Sequence, residues 1–215
     1  MKKHSVKAIA TPVIALALCC LLYLAGYFQV IFATLIILLA SWVEYGRGTF
    51  KSLGFRRSDL KAKQLLVVAP LLAGAMFALY LFVLIPCVIY FTNQPMDYSL
   101  LEPYRGDLAT ILGLIVFAWI SAAFGEEILF RGYLMRQFSK FFGTSMVSIV
   151  FNIVLFGVLF GWIHMYQGIS GQIVTGIIGI ILATIFHFRK DNLWFNVAVH
   201  GFFDTIAFIT FFLSK

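Results

Sequence analysis

Two adjacent glutamates and an arginine interrupt an otherwise apolar stretch at residues 124–132. Glu127 and Arg131 are four residues apart with the glutamate first, which is the favourable order for an ion pair on one helix face. Glu126 has Phe130 at the equivalent position, and the two carboxylates point about 100° apart around a helix. We therefore predict that Glu127 and Arg131 brace the structure, while Glu126 stays free as a general base or acid. The alternative is a charge cluster at a helix end on the membrane surface.

Three further polar side chains lie in or beside later apolar runs. His164 follows Phe160 by four residues, and His200 precedes Asp204 by four residues, so each of these pairs shares a helix face. A histidine at the end of a span can be an interfacial residue, and a His–Asp pair can be purely structural. If they instead meet Glu126 in a polar cavity, they would surround a water molecule with a base, two imidazoles and a further carboxyl group. That set suits hydrolysis of an amide bond.

The composition places these residues in a membrane protein. Of the 215 residues, 62% are hydrophobic and 12% charged, against about 45–50% and about 25% in soluble domains. The apolar runs at 13–25, 30–43 and 65–91 are continuous and do not alternate, which favours helices over a β-barrel. Cys19, Cys20 and Cys87 all lie inside apolar runs, so we expect small buried hydrophobic residues and no disulfide. The predicted fold is an all-α transmembrane bundle.

The bundle is predicted to have about seven spans in a single integral membrane domain, 1–215. The spans are expected at 8–25, 27–43, 65–91, 108–124, 145–163, 172–186 and 193–213. Residues 1–64 would form a helical hairpin followed by a basic cytoplasmic loop at 44–64, and residues 65–215 would form the core with the polar motifs. Pro70 and Pro86 are expected to distort the third span. The helical pattern of the fourth span continues past the glutamates to Phe138.

The net charge of +7 follows this topology. With a cytoplasmic N-terminus, every Lys and Arg except Arg105 and Lys215 falls on the inner side of the membrane, as the positive-inside rule requires. The charge is therefore explained without a nucleic-acid partner. The expected partner of the apolar spans is the lipid bilayer. The expected location is a bacterial plasma membrane.

Simple helix geometry makes the meeting of the two histidines difficult. Straight spans would put His164 roughly 28 Å and His200 roughly 15 Å from the inner surface. Either the helices tilt strongly, or the turn at 189–191 lies deep. Gly157 and Gly161 form a small-xxx-small pattern, which would allow close helix crossing as ordinary packing.

The polar motifs resemble those of a known family when they are taken in chain order. Glu126-Glu127-x-x-x-Arg131, Phe160-x-x-x-His164 and His200-x-x-x-Asp204 are similar to the three motifs of the CPBP family. This family comprises CAAX proteases and bacteriocin-processing or immunity proteins, also called Abi proteins. The resemblance covers residues 124–204. It implies an intramembrane endopeptidase that cleaves a peptide or membrane-protein substrate.

The resemblance also implies a role for each motif residue. Glu126 would activate water with the help of His164. His200 and residue 204 would bind the oxyanion or orient the water. The supporting residues of the site would be Glu127, Arg131 and Phe160.

One residue departs from the family pattern. Many members have Asn at the last motif position, where this chain has Asp204. An ionised Asp would repel an oxyanion, so Asp204 is protonated, orients His200, or binds a metal. A zinc site made of Glu126, His164, His200 and Asp204 is chemically reasonable. We expect a metal-free glutamate mechanism, with zinc as the alternative.

Two non-proteolytic functions are compatible with the same sequence. One is a bacteriocin-immunity or scaffold membrane protein of the same fold. The polar motif residues argue against this function, because a scaffold does not need charged side chains within the bilayer. The other is a small proton-coupled transporter, which the lack of a visible inverted repeat disfavours.

Overall fold

The computed structural model describes residues 6–26 and 29–214, and the structure is helical over most of these ranges. The helices are α1 (Val6–Leu24), α2 (Val30–Tyr45), α3 (Thr49–Leu53), α4 (Gln64–Thr92), α5 (Leu108–Phe142), α6 (Met146–Trp162), α7 (Gly168–Phe188) and α8 (Leu193–Leu213). Short 3₁₀ turns lie at Gly46–Gly48, Arg57–Asp59, Glu102–Tyr104 and Met165–Gln167. No strand occurs in the described ranges.

Five stretches are long and apolar enough to cross a membrane. They are Val30–Asp59, Gln64–Thr92, Leu108–Phe142, Met165–Phe188 and Leu193–Leu213, and two shorter apolar helices cover Ala8–Leu24 and Met146–Trp162. Large apolar side chains such as Leu71 and Phe91 point away from the protein, at 70% and 81% exposure, as lipid-facing residues do. The prediction of a helical membrane bundle is therefore confirmed.

Some details differ from the prediction. The sixth span is longer than the predicted 172–186, because α7 runs from Gly168 to Phe188. Gly168 has a positive φ of +73°, and the helix begins at this residue. All three cysteines are free, but only Cys19 is buried, while Cys20 and Cys87 are exposed. The prediction of burial was therefore wrong for Cys20 and Cys87, whose side chains lie on the outer faces of α1 and α4. Residue 27, the predicted start of the second span, lies outside the described ranges.

Wide π-helical turns occur in two of the spans. In α5 they cover Trp119–Leu134, and the amide of Met135 donates to the carbonyl of Phe130, five residues back. Such turns are rare and often mark functional sites. In α4 they cover Gln64–Val68 and Tyr80–Leu84, directly before Pro70 and Pro86. Because proline lacks an amide hydrogen and clashes with the preceding turn, the helix widens at the two positions where distortion was predicted.

The closest helix packing joins α6 to α7. A Cβ atom on Gly157 would lie 2.2 Å from Ile180 Cγ1, and one on Gly161 would lie 2.4 Å from the carbonyl oxygen of Gln172. The facing residue on α7 is itself a glycine, Gly176, whose Cα would lie 2.9 Å from the Gly161 Cβ. The glycine pattern therefore allows ordinary close packing. It also holds the end of α6, and with it His164, against α7.

Replacing Gly161 by Ala is expected to lower the free energy of unfolding by about 1–3 kcal/mol, because the added methyl group meets backbone atoms that cannot rotate away. Loss of helical circular dichroism on heating in detergent would measure it. The matched control is Gly113→Ala on α5, where a Cβ meets nothing within 4 Å. Equal melting temperatures for the two variants would contradict the packing role.

The turn between α7 and α8 is covered by the segment that follows α2. The amide of Leu193 donates to the Gly54 carbonyl at 3.2 Å, and Arg56 Nη2 donates to the Lys190 carbonyl at 2.6 Å. Gly54 has a φ of +107°, and a Cβ there would lie 2.6 Å from the Asp191 carbonyl. Since Leu193 is fully buried, α8 starts below a covering layer. The deep start of α8 explains part of how His200 reaches the same depth in the membrane as His164.

A polar cluster at the same end of the bundle was not predicted. Glu44, which the sequence assigned to the basic loop, belongs to α2 and has only 3% of its side chain exposed. Its carboxylate accepts hydrogen bonds from Tyr133, Gln137 and Lys140 at 2.6–3.1 Å. These three donors lie on α5, so the cluster joins the N-terminal hairpin to the motif-bearing helix.

At the opposite end, residues 93–107 form a strap between α4 and α5. The strap amide of Asp97 donates to the Gln167 carbonyl at 3.0 Å, and Ser170 Oγ donates to the Gln94 carbonyl at 2.6 Å. Near its end, Arg105 pairs with Glu102 and donates to the Ser214 carbonyl at 3.1 Å. The strap is therefore tied to the start of α7 and to the end of α8.

The strap carries negative charge at neutral pH. Hydrogen bonds from Ser99 hold the pKa of Asp97 below its ordinary value. The Arg105 guanidinium does the same for the pKa of Glu102. The hydroxyl and amide of Thr110 lower the pKa of Asp107, which caps the N-terminus of α5. All three carboxylates are therefore ionised well below neutral pH.

Candidate active site

Glu126 lies at the centre of the polar groups. It is only 6% exposed, and its Oε2 atom has no hydrogen-bond partner. Its Oε1 lies 3.9 Å from His164 Nε2, and its Oε2 lies 3.9 Å from His200 Nε2. Side chains from α5, α8 and the turn after α6 thus meet at one carboxylate. The two histidines that straight helices would separate are both within reach of it.

Glu127, by contrast, has a partner for each carboxylate oxygen. Arg131 Nη1 donates to Oε1 at 2.9 Å, and His200 Nδ1 lies 3.0 Å from the same atom. Asn196 Nδ2 donates to Oε2 at 2.8 Å. The side chain of Glu127 is fully buried, so these donors offset the large cost of removing its charge from water.

Arg131 is held on several sides. Its Nη2 atom donates to the Gly179 carbonyl at 2.8 Å, and its guanidinium carbon lies 4.7 Å from the centre of the Phe160 ring. Phe160 fits against Gly179, where an added Cβ would lie 3.0 Å from Phe160 atoms. The pair of Glu127 and Arg131 therefore joins α5 to α7 and α8.

The ring of His164 is held by the end of α6. Its Nδ1 atom lies 2.7 Å from the Phe160 carbonyl oxygen, which can only accept, so Nδ1 carries the proton. In the neutral ring Nε2 is then a hydrogen-bond acceptor, and it faces Glu126. The rings of Phe160 and His164 are 4.8 Å apart. Phe160 therefore orients the imidazole through its carbonyl and packs against it through its ring.

His200 is surrounded by carboxyl groups. Its Nδ1 lies 3.0 Å from Glu127 Oε1, the atom to which Arg131 Nη1 also donates, and its Nε2 lies 3.6 Å from Asp204 Oδ2 and 3.9 Å from Glu126 Oε2. Asp204 follows His200 by one helical turn and retains 21% side-chain exposure. It therefore lies at the edge of the site, between the imidazole and the cavity.

Sequence reasoning missed several residues that support this site. Asn196 binds Glu127 and the Leu182 carbonyl, and the polar repeat at 196, 200 and 204 was a signal that could have revealed it. Thr34 Oγ1 donates to the Gly125 carbonyl at 3.1 Å. This contact brings α2 against the glutamate pair. No local sequence pattern marks Thr34, or the carbonyl of Gly179, for these contacts.

A cavity of about 890 Å³ contains the site. Glu126, His164, His200 and Asp204 all line it. Its remaining lining is largely apolar and comes from α4, α5, α8 and the strap, including Phe77, Tyr80, Met96, Phe117, Phe208 and Phe211. A water molecule and an apolar peptide segment could both be accommodated beside the polar groups.

The structure also bears on the zinc alternative. No group of three or more His, Cys, Asp or Glu residues within the described ranges is placed to hold a metal ion. The metal-free mechanism stays a prediction, with zinc as its alternative.

Comparison with known proteins finds a family that is similar to the motif-bearing region. Residues 108–206 match the family model described as type II CAAX prenyl endopeptidase Rce1-like. Neither the curated proteins nor the solved structures gave a match. The matched residues include all three motifs and extend from the start of α5 into α8. Residues 108–206 are thus similar to the Rce1-like CAAX endopeptidase family, in agreement with the resemblance indicated by the three motifs.

Proposed function

We propose that this protein is an intramembrane endopeptidase in which Glu126 activates a water molecule for attack on a peptide bond. The observation that supports the proposal is a buried carboxylate with an unpartnered oxygen, 3.9 Å from each of two imidazole Nε2 atoms. A charge buried in this way is costly and marks a functional site in a membrane protein. The Rce1-like family match supports the same class of reaction.

The attacking water would lie between Glu126 and His164. A water oxygen set to one side of the 3.9 Å line between Glu126 Oε1 and His164 Nε2 can lie about 2.8 Å from both atoms. Both atoms accept hydrogen bonds, so the water donates one hydrogen to each and turns a lone pair toward the substrate. Glu126 takes the proton as the oxygen bonds to the carbonyl carbon.

The developing oxyanion would be stabilised by His200. We assign it the doubly protonated form, because Glu127 accepts from Nδ1 and the carboxyl groups of Glu126 and Asp204 surround Nε2. Its Nε2–H can then donate to the carbonyl oxygen as negative charge develops there. Asp204 would orient His200 and help to keep its imidazole protonated. It would not itself bind the oxyanion.

The reaction would end with breakage of the C–N bond. The tetrahedral intermediate collapses, and the leaving amine takes the proton held by Glu126, which returns to its ionised form. The immediate products are a carboxylic acid and an amine, and transfer of the acid proton to the amine gives a carboxylate and an ammonium group. Glu127 and Arg131, which do not line the cavity, hold His200 in place throughout, and Phe160 holds His164.

The proposal is tested by cleavage assays with purified protein in detergent or lipid. The first substrates are C-terminal CAAX peptides with and without an isoprenoid group, followed by other membrane-associated peptides, with products identified by mass spectrometry.

We propose a membrane-protein or peptide substrate in a bacterial plasma membrane. A protein that transports protons with these peptides present, and cleaves none, would favour the transporter alternative.

Chelation tests the metal-free part of the mechanism. Treatment with EDTA or 1,10-phenanthroline is expected to leave the cleavage rate unchanged, because the proposed water is activated by Glu126 and His164 alone. The measurement is the initial rate before and after removal of the chelator by dialysis. Loss of activity that added Zn²⁺ restores would contradict the metal-free mechanism and favour ligation by the four motif residues.

A further inference from the structure

The two ends of the bundle differ in charge. The end formed by residues 44–64, the end of α5 and the turn after α7 is rich in cations. It carries Arg47, Lys51, Arg56, Arg57, Lys61, Lys63, Arg136, Lys140, Arg189 and Lys190. Contacts of Arg56 with the Lys190 carbonyl and of Arg136 with Asp191 show that these segments lie at the same end. We call this the basic end.

The opposite end, which we call the strap end, is formed by other segments. They are the strap, the turn that contains His164, and the end of α8, joined by the contacts of Asp97 with Gln167 and of Arg105 with Ser214. Among the described side chains here, Arg105 is the only Lys or Arg and pairs with Glu102, while the strap also carries Asp97 and Asp107. This end is therefore acidic.

The active-site cavity belongs to the strap end. The strap and the turn after α6 line it, together with the halves of α4, α5 and α8 nearest the strap. Several of the lining residues are exposed, among them Tyr98, Leu100 and Tyr166 at 36%, 64% and 53%. No lining residue comes from 44–64, from 135–145 or from 187–192. The site is thus reached from the strap and is closed off from the basic end.

A separate cavity of about 630 Å³ lies at the basic end. It is lined by Arg136, Lys140, His187 and Lys190, among others, and by none of the motif residues. The two cavities share no lining residue. Access from the basic end therefore leads to a different space.

We infer that the active site opens to the extracytoplasmic side of the membrane and cleaves a segment delivered from that side. The basic end is cytoplasmic by the positive-inside rule, and the cavity opens at the other end. Because the lining is largely apolar, the fitting substrate is an apolar segment of an exported or membrane-anchored peptide. Cleavage of a substrate in this cavity rests on the proposed function, whereas the direction in which the cavity opens does not.

Cysteine accessibility in intact bacterial cells tests this inference. In a background with Cys19, Cys20 and Cys87 replaced by Ala, single cysteines are introduced and labelled with a membrane-impermeant maleimide. S99C reports the strap surface, and A207C reports the active-site cavity. The matched controls are S58C on the exposed basic surface and T144C in the basic-end cavity.

The expected result is labelling of S99C and A207C in intact cells, and of S58C and T144C only after permeabilisation. The reverse pattern would overturn the inference, and so would labelling of S99C without A207C, since the cavity would then be closed to that side. Circular dichroism of each purified variant confirms that it is folded. Repeating A207C in the Glu126→Gln background separates the two proposals, because labelling reports access and cleavage reports chemistry.

Discussion

Replacing Glu126 by Gln is expected to lower the cleavage rate by about 10²–10⁴-fold, the usual contribution of a positioned general base. Gln is nearly isosteric, so the fold and the contacts of Glu127 should persist. The amide cannot take the water proton, and it cannot return one to the leaving amine. The measurement is the initial rate of peptide cleavage by purified protein at matched concentration.

The control for this experiment is Glu102→Gln, the same chemical change on the strap. Glu102 has 51% of its side chain exposed and is not among the residues that line the cavity. Its variant should retain the wild-type rate. Full activity in Glu126→Gln, in protein with an unchanged melting temperature, would refute the proposed mechanism and leave the family assignment intact.

Replacing Arg131 by Met is expected to lower the free energy of unfolding by about 3–5 kcal/mol, the cost of leaving a buried charge without its partner. The remaining Glu127 carboxylate is fully buried. It would keep only Asn196 and His200 as donors, and the Gly179 carbonyl would lose its own donor. Unfolding in detergent micelles, followed by loss of helical circular dichroism, measures the change.

Two further variants make this prediction specific. Arg57→Met removes an exposed arginine from the basic end and should change the stability by no more than about 0.5 kcal/mol. The double variant E127Q/R131M removes both charges, so it should regain part of the stability that Arg131→Met loses. Equal stability of Arg131→Met and Arg57→Met would show that Arg131 does not brace the site.

The separation of roles between the adjacent glutamates matters for both experiments. One carboxylate is held by Arg131, Asn196 and His200, and the other has an oxygen with no partner. A loss of activity in Glu126→Gln should therefore come without a loss of stability. A change at Arg131 should affect stability first, and activity through the orientation of His200.

The amino-acid sequence by itself determined the class of this protein and the local pairing of its charges. An apolar composition with few charges leaves a helical membrane bundle as the favourable solution, because backbone polar groups in lipid must be paired within each span. The four-residue spacings placed Arg131 beside Glu127 and Asp204 beside His200, since residues so spaced share a helix face. The order of the three motifs indicated the family.

Only the tertiary structure decided which faces meet. A spacing fixes where a side chain lies on its own helix, but not the rotation or tilt of that helix against another. Those depend on contacts between distant residues, such as Gly161 against Gly176 and Leu193 against Gly54. These contacts bring His164 and His200 to the same carboxylate and recruit Asn196 to the other one. They also open the cavity toward the strap, a direction that no local pattern encodes.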